Sequence, residues 1–150
     1  MTAIRNPAPA DAGRVDPAMA QFVEHVLAGS QVAKRLGIVL RSVEPQRVVM
    51  ALPYSEANIT VDTTVHGGVI AALIDIVGAA CSASGADSSK IKGGATSSLV
   101  VNYLNAANGV DLEAEGRVIK RGRDTTVSEI AVRDPQGRLV ATGTVTSRLW

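Results

Sequence analysis

The sequence contains a single cysteine, Cys81, and only two histidines, His25 and His66. One cysteine excludes an intrachain disulfide and fits a reducing compartment. Two histidines without tight Cys or His spacing make a zinc site a poor fit. Aromatic residues are scarce, with one Phe, one Trp and two Tyr in 150 residues, so few rings are available to stack on an aryl ligand. An excess of either charge is also missing: 15 Lys and Arg stand against 14 Asp and Glu, a net of +1. That balance excludes a broadly basic nucleic-acid or membrane-surface protein, so any anion site must be local. No Gly-x-Ser-x-Gly elbow, phosphate-binding Gly-x-x-x-x-Gly-Lys or dinucleotide glycine fingerprint occurs. The opening MTAIRNPAPADAGRVDP lacks the apolar core of a secretory signal. The expectation is a soluble, cytoplasmic protein without metal, redox cofactor, membrane span or nucleic-acid partner.

What is present is a chain of one-domain length, 46% hydrophobic and 19% charged, able to fill a sizeable core. Residues 1–16 read as a flexible tail and residues 17–150 as a single domain. Asp16 followed by Pro17 is a helix start, and PAMAQFVEHVLAGS runs to a stop at Gly29, with QVAKRLG adding a further turn. IVLRSVEPQRVVMALP reads as a hairpin turning at Pro45. The longest apolar run, Val69 to Ala83, is broken by Asp75, Gly78 and Ser82 and is short for a membrane span. Extended to Gly85 it makes about five turns of a central helix, apolar nearly all round. The remainder alternates in strand fashion. Leu99, Val101 and Tyr103 share one face, and Leu112, Ala114, Gly116 and Val118 alternate with Glu113, Glu115 and Arg117. Asp134-Pro135-Gln136-Gly137 marks a turn. The pattern predicts an α+β fold, about six antiparallel strands wrapped over one long buried helix, with the last four strands paired to their sequence neighbours.

Within VHGGVIAALIDIVGAAC, Val65 to Cys81, one carboxylate interrupts an apolar helix. An unpartnered buried charge is costly, so Asp75 is either compensated as a strut or used as a base or nucleophile. Gly67 and Gly68 start the helix, where free backbone N–H groups and the positive end of the dipole can hold an oxyanion. Eight helical positions separate Gly67 from Asp75, about 12 Å of rise. One chain therefore cannot bring both to one carbonyl, and if both act the site lies between two copies. His66 suits either acid–base work or a hydrogen bond that fixes the loop. Cys81, six positions past Asp75, reads as core. Lys120-Arg121-Gly122-Arg123 is a solvated turn or a local phosphate site, to which Arg148 and the Lys90/Lys92 loop could add.

VHGGVIAALID, GATSSLVVNYLNAA, EGRVIKRGRD and GRLVATGTVT, in this order, resemble the hotdog-fold acyl-CoA thioesterases of the phenylacetate-degradation type, within the 4-hydroxybenzoyl-CoA thioesterase superfamily. The likeness runs from about residue 30 to residue 148. It implies a helix wrapped by an antiparallel sheet, a homodimer with paired sites at its interface, and usually a homotetramer. It implies hydrolysis of an aryl- or medium-chain acyl-CoA to free acid and CoA, with coenzyme A present only as part of substrate and product. By position, Gly67 would supply the oxyanion N–H with Gly68 beside it. Asp75 would be base or nucleophile for the partner chain's site, and Thr96 would position water or substrate. Ser98, Tyr103, Lys120, Arg121, Gly122, Arg123 and Arg148 fall in segments that contact coenzyme A. Where relatives often carry an Asn six positions before the histidine, this sequence has Thr60. Either Asn58 reaches the thioester through a longer loop or that contact is absent. A non-catalytic acyl-CoA-binding module, with Asp75 as a strut, is the alternative. A hydratase or dehydratase on the same fold, which would pair a catalytic His with an acid at another spacing, fits less well.

Overall fold

The computed structural model describes residues 13–150, so residues 1–12 of the tail expected over residues 1–16 lie outside the described residues. Its last member, Asp16, caps helix α1 (Pro17–Gln21) by accepting from Ala18 N–H, and its other oxygen accepts from Ser88 N–H at 2.9 Å. The helix continues as a π-helical segment, Phe22–Leu27, and is followed by α2 (Gln31–Leu36), which Gly37 ends at φ 78°. Six strands follow: β1 (Val39–Glu44), β2 (Arg47–Leu52), β3 (Gly94–Tyr103), β4 (Leu112–Arg121), β5 (Thr125–Arg133) and β6 (Leu139–Leu149). Between β2 and β3 lies the long helix α3 (Gly67–Ser84).

The strands form one sheet in the order β1-β2-β4-β5-β6-β3, every pair antiparallel. The β1–β2 hairpin turns at Pro45 as expected, with Gln46 in the left-handed region at φ 63°. One expectation is corrected: β3 does not neighbour β4. The link from Leu104 to Asp111 passes the β5–β6 turn, where Asn105 donates to Leu139 O and Arg138 to Ala106 O, so β3 reaches the far edge beside β6. An eight-residue connection is long enough for that crossing, and short connection length alone does not dictate pairing.

The inner face of the sheet carries Met50, Leu112, Ala114, Ile130, Val132, Ala141 and Val145, all essentially inaccessible, and α3 lies across it. Close approach depends on missing side chains. A Cβ at Gly78 would stand 2.5 Å from Val145, and one at Gly143 would collide with Ile74. Ile74 over Gly143 and Gly78 over Val145 thus set how the helix rides along β6, four helix positions for every two strand positions. By length and composition α3 could cross a bilayer, yet Leu73, Ile74, Val77, Ala80 and Cys81 are fully buried against the sheet. Its apolar surface is the domain core.

Candidate active site

Helix α3 begins at His66, whose Nδ1 accepts from Gly68 N–H at 2.8 Å, the geometry of a side-chain N-cap. That bond assigns the ring proton to Nε2. Val69 and Ile70 donate to the His66 carbonyl. Gly67 N–H alone at this end has no acceptor among the described residues. The pair of glycines therefore divides: Gly68 is consumed by the cap, and Gly67 presents the open donor. Tyr103, more than half exposed, donates its hydroxyl to Gly67 O at 2.7 Å and lays its ring over the glycine. A hollow of about 270 Å³ opens here, lined by Gly67, Ile70, Tyr103 and Leu104.

Asn58 ends a short 3-10 turn, Glu56–Asn58, and is buried. Its carbonyl accepts from His66 N–H at 2.8 Å, while its side-chain amide donates to Leu36 O at 2.7 Å. It fixes the turn that aims Gly67, with one amide hydrogen committed to the end of α2.

Two turns along α3, half-buried Asp75 accepts a 2.7 Å hydrogen bond from Thr96 Oγ1 of β3. The carboxylate thus has the compensation an apolar helix requires. Asp75 and Thr96 line a cavity of about 510 Å³ whose walls come from α1 and its π extension (Met19, Phe22, Leu27), α3 (Ile76, Ala79) and the end of β6 (Leu149). Gly67 is not on that wall, and Asp75 is not in the Gly67 hollow. Both sit on one unbroken helix, so the 12 Å estimate from rise holds.

A bulge between Thr96 and Ser98 alters the expected grouping on β3. Thr96 pairs with Ser147, which is inward, whereas Ser98 pairs with Thr146 on the outer face. Ser98 therefore turns away from Thr96 and Tyr103. The basic turn also divides. A bulge between Val118 and Lys120 leaves Lys120 exposed and turns Arg121 inward. Arg121 donates to the carbonyls of Ser82 (2.9 Å) and Cys81, a cation at the C-terminal end of α3. Burial pulls its pKa below the usual guanidinium value. Gly122 closes the turn by donating to Thr125 O, and Arg123, almost fully exposed, pairs with Asp124. The Asp124 carboxyl is held below its ordinary range by that hydrogen bond, with Arg148 adding to the effect. Lys120, Arg123 and Arg148 thus supply the exposed cations here. Cys81 is fully buried, and burial pushes its thiol up to about 12, which removes it as a nucleophile. Among the described residues no cluster of His, Cys, Asp or Glu is placed to hold a metal ion. Met19, Phe22, Leu27, Ser82 and Ser147 line the site without any motif that marks them in the sequence, apart from the apolar i, i+3 pair Met19 and Phe22.

A six-stranded antiparallel sheet around one central helix, with a glycine-opened helix start and a helix carboxylate, is the hotdog architecture of thioester hydrolases. The chain matches the thioesterase superfamily model over residues 62–141. A thioesterase family protein from Silicibacter pomeroyi is 27% identical, with TM-score 0.80 over 87% of this chain and 97% of that one. The PaaI protein of the E. coli phenylacetic acid degradation operon is 22% identical, with TM-score 0.75 over 89% and 94%. A hypothetical thioesterase of Streptococcus pneumoniae, crystallised with coenzyme A, is 22% identical, with TM-score 0.68 over 75% and 85%. The chain belongs to the thioesterase superfamily and is a thioester hydrolase.

Proposed function

We propose that the protein hydrolyses acyl-CoA thioesters at sites shared between two copies of the chain. The observation that carries this reading is the separation on α3 of an unsatisfied Gly67 N–H from the Thr96-bound Asp75, each in its own hollow. One chain's Gly67 N–H would hold the thioester oxygen as it gains negative charge. Asp75 of the other chain would take a proton from the attacking water, or attack the carbonyl itself to form an anhydride that water then opens. Coenzyme A leaves as the thiolate. His66 and Asn58 act by positioning the turn, and Thr96 by orienting the carboxylate. Lys120, Arg123 and Arg148 suit the phosphates of the coenzyme, the molecule bound in the Streptococcus pneumoniae relative.

The free edge of the sheet supports the pairing. Strand β3 runs ten residues without a charged side chain and exposes Leu99, Val100 and Tyr103. Such an edge is normally covered. The other edge, β1, is shorter, bulged and carries Arg41 and Glu44. A dimer across β3 suffices for the chemistry, and the tetramer that the resemblance implies is not needed for it. The test is thiol release over a panel of aryl- and medium-chain acyl-CoAs, with Asp75→Asn alongside. We expect turnover to fall about 10³-fold or more, with size and melting temperature unchanged. Undiminished turnover in Asp75→Asn ends the proposed role, and saturable binding without any thiol release would favour a carrier or sensor instead.

A further inference from the structure

The buried polar atoms that lack a hydrogen-bond partner among the described residues gather at one end of the core. They are Ser82 Oγ, Ser128 Oγ, Ser147 Oγ and Arg121 Nε. Register explains the grouping. Thr96, Ser147, Thr126 and Arg121 form one inward row across β3, β6, β5 and β4, and Ser128 stands in the next row beside Val145. Helix α3 places Ile74 over Gly143 and Gly78 over Val145, so the next step places Ser82 over Ser147. Two of these four groups, Ser82 and Ser147, also line the 510 Å³ cavity that holds Asp75, and their exposures are 0% and 3%. A buried hydroxyl without a partner is left with its desolvation uncompensated. Asp75, Thr96, Ser30 and Lys92 are the other polar residues on the cavity wall, and two unpartnered hydroxyls together at its buried end mark a place for an oxygen that the protein itself does not provide.

We propose that Ser82 and Ser147 form a polar subsite at the buried end of the acyl cavity, and that the acyl group taken there carries a hydroxyl or oxo oxygen near its far end. This rests on the thioesterase reading and narrows its substrate class. Asp75, Ala79 and Ser82 fall at i, i+4 and i+7 along α3, one stripe facing the cavity. The seven positions from carboxylate to hydroxyl rise about 10.5 Å. An extended chain advances about 1.2 Å per bond, so the distal oxygen lies about eight to nine bonds from the thioester carbonyl carbon. Met19, Phe22, Leu27 and Ile76 give the intervening methylenes an apolar wall. An unsubstituted chain of that length strands both hydroxyls against hydrocarbon. A terminal hydroxyl accepts from one serine and donates to the other.

The experiment compares kcat/KM for 8-hydroxyoctanoyl-CoA, octanoyl-CoA and 3-hydroxyoctanoyl-CoA in the unaltered protein, Ser82→Ala, Ser147→Ala and the double variant. The expected result is about tenfold preference for the 8-hydroxy substrate over the other two, reduced in each single variant and gone in the double. Melting temperatures of the variants should hold or rise, because neither hydroxyl has a partner to lose. A falling melting temperature with the preference intact would make the serines structural struts and overturn the subsite. One common rate for all three substrates in the unaltered protein overturns this inference alone. Absence of thiol release from every substrate would remove the hydrolase reading together with it.

Discussion

The first turn of α3 and the stretch beyond Leu73 solve opposite problems with one helix. At the start, Gly67 leaves one backbone N–H bare while Gly68 N–H is held by the His66 cap, and solvent reaches the turn. From Leu73 onward the helix is core, buried against the sheet, and tolerates a single carboxylate only where Thr96 and a cavity meet it. A developing oxyanion needs a preorganised donor that nothing else has claimed. A carboxylate base needs a dry surface and one fixed hydrogen bond. No single turn of a helix can be bare and buried at once. In the proposed mechanism the two functions are therefore separated along the axis, and a second chain would reunite them at one carbonyl.

The sharpest way to break this arrangement, short of removing Asp75, is Gly67→Pro. Proline deletes the one N–H without an acceptor, fits the first helical position, and follows a residue whose ψ of 131° it accepts. The new ring stands slightly closer to Tyr103 than ordinary contact, its Cβ 3.3 Å from that side chain, so the ring of Tyr103, more than half exposed but bonded to Gly67 O, must shift by a few tenths of an ångström. We expect kcat to drop about 10²- to 10³-fold with the melting temperature held. Mixing unfolded Gly67→Pro and Asp75→Asn chains and refolding them together then tests the two-chain claim. Half of a random set of dimers is mixed and each mixed dimer keeps one intact site, so about a quarter of the original activity should return. Activity no higher than that of the parent variants would confine each site to one chain.

Thr96→Ala is the next largest perturbation. It leaves Asp75 in place but removes its 2.7 Å donor, and we expect about tenfold loss in kcat with KM little changed. Thr96→Ser should recover most of it, since the hydroxyl returns. Failure of Ser to rescue would assign the effect to the lost methyl and to cavity shape.

Much of this was legible in the residues themselves. The apolar run with glycines at its head gave the central helix, and alternation along VDLEAEGRV gave the buried face of β4. Even the distance from Gly67 to Asp75 follows from helical rise alone. What the sequence hides are events that break periodicity. The bulges at Ser97 and Ile119 each add a residue to a strand, and so exchange the faces of Ser98 and Arg121 relative to simple alternation. The crossing of β3 to the far edge depends on side-chain ties from Asn105 and Arg138 that no local pattern announces. In the sequence Ser82 is only a break in the apolar run; its register over Ser147 makes it a lining residue.

The smallest expected effects come from the cap and measure how far helix stability and oxyanion binding conflict at one end. His66→Ala removes the acceptor for Gly68 N–H and should cost about 1 kcal/mol of stability, read as a lower melting temperature. His66→Asn restores a neutral side-chain acceptor and should return both stability and rate nearly to the original. His66→Asp is the informative variant. Its carboxylate caps Gly68 and favours the positive end of the helix dipole, so stability should match or exceed the original. The same negative charge stands beside the Gly67 N–H where the substrate oxygen gains its own, so kcat should fall severalfold. The deficit should shrink as added salt screens the carboxylate. A His66→Asp protein that is both stable and fully active at low salt would mean that no negative charge develops at Gly67.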